Sequence, residues 1–374
     1  MMTIPAEYLT HRQEKLAEAL QTAGLDALAL NPGPSLTYLT GLHFHLMERP
    51  IVGVFTRDQP PKLVLPELEA AKLSGLSYSI SPTMYGEDPA TWPQRFSDAF
   101  GALGPVKIGV EHLTMRLVEY RLLQAALPGA EFVDATQTIA RLRMYKDEQE
   151  AADMEKAVQI SETALNATLP LVRVGMTEQE VASLLVQNLL KSGSSGDIPF
   201  QPIVSTGPNG ANPHAVPSNR RLAAGDLLVI DFGTKHNDYC SDITRTFAVA
   251  EFSAEQQKVH QTVVEANLAA QAAGAPGITC GEIDRAARAV IEAAGYGEYF
   301  IHRTGHGLGR EGHEEPYIRS GNPMLLEPGM TFTIEPGIYL PNQFGVRIED
   351  DVIITDSGLK SFSTYPRELT VIGG

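Results

Sequence analysis

The chain has 374 residues, which predicts two domains that are each large enough to bury a hydrophobic core. Its composition, 43% hydrophobic and 20% charged, is typical of a soluble globular protein, and a net charge of −16 argues against a nucleic-acid partner. Two distant cysteines, Cys240 and Cys280, suit a reducing compartment. No signal peptide or membrane span is recognisable, so a cytoplasmic location is expected.

The first part of the chain alternates helical and strand-like patterns. Residues Glu7 to Ala23 predict an amphipathic helix, and DALAL, IVGVF and KLVLP predict strands after it. A further helix is predicted over Pro93–Leu103, and the strands VKIGV and EFVDA flank another. This alternation predicts an α/β domain that ends near Ala135, followed by TIARLRMYKDEQE as a linker or a helix start.

The second part of the chain carries an internal duplication. The string G-[MI]-T-x-x-E occurs at Gly175–Glu180 and again at Gly277–Glu282, an offset of 102 residues. In both copies the Thr and the Glu three residues later predict a capping box that begins a helix. Further on, GDLLVID, which ends at Asp231, aligns with GMTFTIE, which ends at Glu335, at an offset of 104 residues. Long helices before the two boxes are predicted over Asp147–Leu171 and Ala254–Ala273.

Each copy is predicted to supply a β-hairpin with one carboxylate on each strand. In the first copy Asp231 ends a strand, the chain turns at residues 234–238, and the returning strand carries Asp242. In the second copy Glu335 ends a strand, the chain turns near residues 341–345, and the returning strand GVRIEDDVIIT carries Glu349. If the copies face each other, the four carboxylates converge. Alternation along the last strand groups Arg347, Glu349 and Asp351 on one face, opposite Val346, Ile348 and Val352.

Four carboxylates in one buried site need compensation, since mutual repulsion and desolvation both oppose their ionisation. Two divalent cations would cancel four negative charges, and oxygen ligands with one imidazole suit Mn²⁺, Co²⁺ or Zn²⁺. The alternative is that the carboxylates lie on solvated strand faces and that His306 is a hydrogen-bonded core residue. The apolar runs before Asp231 and Glu335 weaken that alternative, because such runs belong in the interior.

Seven motifs occur together here: PHAVPS (from Pro213), VIDFG (from Val229), YCSDITRTF (from Tyr239), GHGLG (from Gly305), GHEEP (from Gly312), TIEPG (from Thr333) and GVRIED (from Gly345). In this order they resemble the M24 metallopeptidases of pita-bread fold, and among them the Xaa-Pro peptidases, aminopeptidase P and prolidase. SLTYLTG, from Ser35, resembles the creatinase-type N-terminal domain. The resemblance implies an α/β protein with a creatinase-like domain over residues 1–138. Residues 139–374 would form a pita-bread catalytic domain with an internal pseudo-twofold duplication.

The resemblance also implies a centre of two divalent metal ions, with Mn²⁺ expected and Co²⁺ or Zn²⁺ as alternatives. Its ligands would be Asp231, Asp242, His306, Glu335 and Glu349.

Other residues receive catalytic or substrate roles from the resemblance. Glu335 would double as the general base, while His214 and His313 would hold the peptide and stabilise the oxyanion. Arg347 would support the ligands, although an ordinary surface-strand arginine is the alternative for that residue. Tyr239 would support the ligands too, and it is placed with Tyr317 among the substrate contacts.

The implied reaction cleaves the bond between an N-terminal residue and a following proline in small peptides. A dipeptidase must bind the carboxylate just beyond the proline, and a basic residue suits that purpose. Prolidases have H-x-x-P-R, whereas this chain has tyrosine at the last position, Tyr317. We therefore expect an aminopeptidase P open to longer peptides. The alternative is a prolidase restricted to dipeptides, with Arg310, Arg319 or a residue of a partner subunit binding the carboxylate. The family suggests a homodimer.

Four other functions fit the sequence less well. Gly307–Gly312 reads G-x-G-x-x-G, but a dinucleotide-binding loop must follow a strand and begin a helix, and the HEEP that follows begins a helix poorly. The DFG at residues 231–233 lacks the preceding H-R-D of a kinase. A non-catalytic binding module, or a metal-free creatinase-like hydrolase, is expected to lack ligands that this chain keeps. His302 receives no predicted role.

Overall fold

The computed structural model describes residues 6–76, 78–104 and 106–374. The chain forms two compact units, Met1–Arg143 and Met144–Gly374. The boundary between them along the chain lies a few residues beyond the expected position, residue 138. Within the described residues, no helix has the length and apolar character needed to cross a membrane.

The elements of the first unit follow the predicted alternation of helices and strands. In chain order they are α1 (Ala6–Ala23), β1 (Ala27–Leu30), α2 (Pro34–Thr40), β2 (Val52–Thr56), β3 (Lys62–Pro66), β4 (Ser81–Tyr85), α3 (Trp92–Phe100), β5 (Lys107–Val110), α4 (Leu117–Ala126), β6 (Glu131–Asp134) and α5 (Thr136–Met144). The strands form one mixed sheet in the order β4-β3-β2-β1-β5-β6. The stretch read as a linker or helix start is α5, and α2 and β4 were not predicted.

The central strand β1 shows why this sheet is buried on both faces. Its four residues, Ala-Leu-Ala-Leu, are all buried, and alternate side chains point to opposite faces of a strand. Leu28 and Leu30 pack in one hydrophobic cluster with Leu20 of α1. The two alanines pack in a second cluster with Phe96 and Phe100 of α3. A strand covered on both faces reads as a continuous apolar run, which is what the sequence contains.

The second unit contains two sheets and two pairs of helices. In chain order its elements are α6 (Glu148–Thr168), α7 (Glu178–Lys191), β7 (Ile203–Thr206), β8 (Leu227–Phe232), β9 (Lys235–His236), β10 (Tyr239–Cys240), β11 (Ile243–Val249), α8 (Ala254–Ala273), α9 (Cys280–Ala293), β12 (Gly305–Gly307), β13 (Glu314–Ile318), β14 (Thr331–Ile334), β15 (Gly337–Leu340), β16 (Phe344–Arg347), β17 (Asp350–Thr355), β18 (Gly358–Ser361) and β19 (Val371–Ile372). The sheets run β19-β11-β8-β7 and β13-β12-β14-β17-β18, and β9–β10 and β15–β16 are separate pairs.

The predicted duplication is confirmed by matching local structure in the two copies. Both capping boxes are formed, at Thr177 before α7 and at Thr279 before α9. Each capping threonine also makes an isolated antiparallel bridge, Thr177 to Arg221 and Thr279 to Leu325. The bridged pairs repeat the two offsets found in the sequence, so the copies share one backbone plan.

A glycine turn leads into the equivalent strands β8 and β14. Gly225 and Gly329 have φ angles of +86° and +90°, in the left-handed region that glycine adopts without steric strain. The two turns start strands that carry Asp231 near the end of β8 and Glu335 directly after β14. The same turn therefore delivers one carboxylate from each copy.

The second hairpin differs from its prediction because GVRIEDDVIIT is not one strand. β16 pairs with β15, whereas β17 pairs with β14, and Ile348 and Glu349 lie between them. The predicted grouping of side chains nevertheless holds: Arg347 reaches Asp231, and Asp351 accepts a hydrogen bond from the backbone N–H of Asp242. The change of strand partner therefore occurs at the carboxylate itself.

Candidate metal centre and active site

The two copies bring acidic side chains together around one histidine. Nε2 of His306, in β12, lies 3.7 Å from Oδ2 of Asp242 and 3.5 Å from Oε1 of Glu335. One ligand atom each of Asp242, His306 and Glu349 lie within 4.8 Å of one another. Asp231 joins the group through Arg347, whose Nη2 donates to its Oδ2 at 2.5 Å.

Burial excludes the alternative that these carboxylates lie on solvated strand faces. Asp231 is 8% exposed, Asp242 4% and Glu349 1%, while the side chain of Glu335 is 15% exposed. Arg347, at 3% exposure, is likewise no ordinary surface arginine. The site therefore places four acidic groups in the interior, where uncompensated charge is costly.

The hydrogen bond made by His306 fixes which ring nitrogen faces the carboxylates. Its Nδ1 lies 3.1 Å from the carbonyl oxygen of Gly307. A carbonyl can only accept, so Nδ1 carries the proton and Nε2 presents its lone pair to Asp242 and Glu335. Burial, and next the neighbouring His313, hold the pKa of His306 well below its usual value. A neutral imidazole aimed at carboxylates is the form that ligates a metal.

Burial also raises the pKa values of three of these carboxyl groups. Burial, followed by the charge of Glu349, raises the pKa of Asp242 well above its usual value, and burial with the nearby Glu335 does the same for Glu349. Burial raises the pKa of Glu335 to about 8, although Arg347 opposes the shift. Among the described residues, Oδ1 of Asp231 and Oδ1 of Asp242 are buried without a hydrogen-bond partner. Buried carboxylate oxygens without a hydrogen-bond partner are suited to bind divalent cations.

Arg347 is held in place by a chain of hydrogen bonds that includes His302. Its Nη1 donates to the hydroxyl of Tyr339 at 2.8 Å, and that hydroxyl lies 2.9 Å from Nε2 of His302. Nδ1 of His302 lies 2.7 Å from the carbonyl oxygen of Arg303, so it is the protonated nitrogen and Nε2 accepts from Tyr339. Burial lowers the pKa of His302 to about 3, which keeps this arrangement neutral. Sequence patterns contained nothing that marked this role.

His313 lies beside the metal-binding group and is oriented by Arg303, a residue that the sequence analysis missed. The rings of His313 and His306 are 3.8 Å apart between centroids. Nη2 of Arg303 lies 3.1 Å from Nδ1 of His313, and a guanidinium can only donate. In the neutral ring Nε2 therefore carries the hydrogen, and burial lowers the pKa of His313. The guanidinium also lies 4.4 Å from the ring centre of Tyr317.

His214 lies on the segment between β7 and β8 and is exposed. The preceding carbonyl, of Pro213, accepts from Nη1 of Arg347 at 3.3 Å, which ties this segment to the buried group.

Three other predicted residues are placed away from the ligands. Tyr239 is buried, and its hydroxyl donates to Glu150 at 2.5 Å, so it is not oriented towards a predicted ligand or an open face. Arg310 is buried and paired with Asp238 at 2.6 Å. Arg319 is exposed and donates to the neighbouring Ser320 carbonyl.

The two glycines that flank His306, the second of which begins the G-x-G-x-x-G string, allow close packing between strands. A Cβ on Gly305 would overlap the carbonyl oxygen of Thr333, and a Cβ on Gly307 would overlap that of Glu315. Neither glycine has a positive φ. The segment that follows is the strand β13 rather than a helix, which excludes a dinucleotide-binding loop. The glycines therefore serve the sheet that carries His306, and their closest contacts are neighbouring strands.

This fold and site define a metallopeptidase: residues 12–145 match the model of the Creatinase/Prolidase N-terminal domain, and residues 152–356 match that of metallopeptidase family M24. The chain belongs to metallopeptidase family M24, and the predicted α/β fold class is confirmed.

Relatives of known sequence or structure cover almost the whole chain. It is 34% identical over 365 residues to the putative dipeptidase YkvY of Bacillus subtilis, which covers 97% of this chain and 100% of that protein. It is 36% identical over 363 residues to the Xaa-Pro dipeptidase of Lactobacillus delbrueckii subsp. lactis, with 96% and 98% covered. A solved prolidase from Thermococcus sibiricus superimposes with a TM-score of 0.92 at 34% identity, covering 99% of this chain and all of that one.

Proposed function

We propose that this chain is a metal-dependent Xaa-Pro dipeptidase, which hydrolyses the bond between an N-terminal residue and a C-terminal proline. The reaction class rests on the buried carboxylates gathered around the neutral His306. The preference for dipeptides is supported by the full-length similarity to a protein named Xaa-Pro dipeptidase and to a prolidase. The aminopeptidase P function expected from Tyr317 has less support, and it becomes the alternative.

The donor set suits two divalent metal ions. Oxygen-rich ligation with one imidazole fits Mn²⁺ best, with Co²⁺ and Zn²⁺ as alternatives. When bound, such ions supply Lewis acidity and a water molecule of lowered pKa. The proposed ligands are Asp231, Asp242, His306, Glu335 and Glu349, whose buried and partly unpartnered oxygens would otherwise be left without compensation.

Two side chains next to this centre move or donate protons. Glu335 has the most exposed side chain of the four proposed acidic ligands. We therefore assign it to accept the proton of the attacking water. It then returns that proton to the proline nitrogen, which must gain a proton to leave as an amine when the C–N bond breaks. His313 presents its Nε2–H, so it can donate to the carbonyl oxygen as negative charge develops there. Arg347 keeps Asp231 oriented while this happens.

The proposed function is tested with chelator-treated protein to which Mn²⁺ is returned. We expect hydrolysis of Ala-Pro only after metal is restored, and little hydrolysis of Ala-Ala or Ala-Pro-Ala. Equal cleavage of Ala-Ala would refute the proline requirement, and faster cleavage of Ala-Pro-Ala would establish the aminopeptidase P alternative. Activity in metal-free protein would contradict metal dependence. The homodimer and the cytoplasmic location stay predictions.

A further inference from the structure

We propose that Arg303 binds the C-terminal carboxylate of the dipeptide and so determines the length of substrate that the site accepts. The inference rests on the proposed function, and it assigns a specificity-determining role to a residue outside the predicted set.

Arg303 lies close to the metal-binding group, next to His313. It comes two residues before β12, and its Nη2 donates to Nδ1 of His313 at 3.1 Å. The His313 ring lies 3.8 Å from that of His306, so a single imidazole separates the guanidinium from the proposed ligands. In a dipeptide the free carboxylate lies one residue beyond the scissile bond. The separation between Arg303 and the proposed metal ligands is of similar size, since one imidazole ring lies between them.

Arg303 makes no ion pair within residues 144–374, whereas several buried or half-buried cations of the same unit are paired with acidic side chains. Arg347 is paired with Asp231, and Arg310 with Asp238. The same holds for Lys146 with Glu314, Arg245 with Asp350 and Arg288 with Asp284. Arg303 is half-buried, and His313 takes only one of its five N–H donors. Most of a planar fork suited to a carboxylate therefore stays available.

Tyr317 also contacts the guanidinium of Arg303. The guanidinium carbon lies 4.4 Å from the ring centre of Tyr317, within the range of a cation–π contact. This contact and the hydrogen bond to His313 use the ring face and one N–H group, and the other N–H groups make no hydrogen bond to residues 144–374. The tyrosine that argued against a dipeptidase thus becomes the support for a cation supplied by the segment before β12.

An unpaired guanidinium at this place discriminates between substrates. A dipeptide offers it a carboxylate, and a charge-assisted hydrogen bond forms. A longer peptide offers a neutral amide at the same point, so the half-buried cation stays without a counter-charge and binding is weaker.

The proposal is tested with Arg303→Gln and Arg303→Lys, assayed on Ala-Pro and on Ala-Pro-amide, which differ only in the terminal charge. We expect Arg303→Gln to lower kcat/KM for Ala-Pro by about 100-fold, while the amide changes by no more than a few-fold. Arg303→Lys should restore part of the preference for the acid. The matched control is Arg319→Gln, which removes an exposed arginine that donates only to a neighbouring carbonyl.

A purely positional role for Arg303 gives a different result. If the residue only orients His313, both substrates lose the same factor, and that outcome overturns the proposal. The proposal is also overturned if the wild-type protein prefers Ala-Pro-amide, or cleaves the acid and the amide equally well. That result would not contradict hydrolysis of the Xaa-Pro bond.

A binding measurement without turnover separates this inference from the proposed function. Titration with proline and with prolinamide reports on the carboxylate alone: wild-type protein should favour proline, and Arg303→Gln should not. If the wild type fails to cleave Ala-Pro, the proposed function fails, yet the titration still decides the role of Arg303. Thermal unfolding of each variant confirms that it is folded.

Discussion

Glu335→Gln is expected to stabilise the metal-free protein, and to do so more strongly as pH rises. Burial raises the pKa of Glu335 to about 8, from a value of 4.5 for an unperturbed glutamate. Between these two pH values the folded chain keeps a proton that the unfolded chain has released. A raised carboxyl pKa gives stability that is fully present below the unfolded value and is lost as pH rises through the folded value. Glutamine is neutral at every pH and suffers no such loss.

The magnitude follows from the size of the pKa shift. At 1.36 kcal/mol per pKa unit, the ionisable carboxyl costs the folded state about 2 kcal/mol at pH 6 and about 4 kcal/mol at pH 8. Below pH 4 the cost vanishes, since both states are then protonated. The stability of Glu335→Gln relative to wild type should therefore rise by these amounts across the same range.

The assay is denaturant unfolding in chelator, followed by circular dichroism between pH 5 and pH 8. Tryptophan fluorescence is unsuitable, because the single tryptophan, Trp92, belongs to the other unit. Glu282→Gln is a control of opposite sign: hydrogen bonds from Thr279 lower the pKa of this capping glutamate. Its contribution is present above the unfolded pKa and disappears in acid, so this substitution should destabilise the protein only at higher pH.

The free energy of unfolding of Glu335→Gln, relative to wild type, could instead stay constant with pH. That result would refute the reasoning, because it would mean that the Glu335 carboxyl is well solvated and has an ordinary pKa. With Mn²⁺ present the effect should reverse, since the variant loses a proposed ligand while the wild type is stabilised by the metal.

Three further outcomes are expected. Asp242→Asn, which keeps the shape but removes the charge, should reduce bound metal, measured by elemental analysis, and lower activity by more than roughly 100-fold; full metal content would count against Asp242 as a ligand. Gly305→Ala should cost roughly 1–3 kcal/mol in thermal unfolding through overlap with the Thr333 backbone, whereas Gly86→Ala, with open space around the added methyl group, should be nearly neutral. His302→Phe should cost roughly 1–3 kcal/mol by leaving the buried Tyr339 hydroxyl without its acceptor, and unchanged stability would show that this hydrogen bond is dispensable.

Local rules predicted much of the fold because the responsible residues are close together in the chain. Four residues define each capping box, and α8 begins and ends where its helical pattern does, at Ala254 and Ala273. A strand such as β1 is visible because burial on both faces leaves an uninterrupted apolar run. β4 was missed because only one of its five residues, Tyr85, is buried, so its sequence lacks an apolar pattern.

Contacts between distant residues escaped sequence reasoning. The break at Ile348 and Glu349 depends on two different partner strands, which a strand's own alternation does not reveal. The hydroxyl of Tyr239 is bonded to Glu150, 89 residues earlier, and His302 is bonded to Tyr339, 37 residues later. The gathering of carboxylates was anticipated because the duplication supplied long-range information that a single motif lacks.

The division of the proposed ligands between the two copies couples metal binding to the junction of the copies. The first copy brings Asp231 and Asp242, and the second brings the other proposed ligands, so neither copy alone carries a complete set. Hydrogen bonds also cross the junction: the backbone N–H of Asp242 donates to Asp351, and the hydroxyl of Thr244 donates to Glu349. A metal ion held by the full set would therefore bridge the two copies and favour the conformation in which these hydrogen bonds are formed.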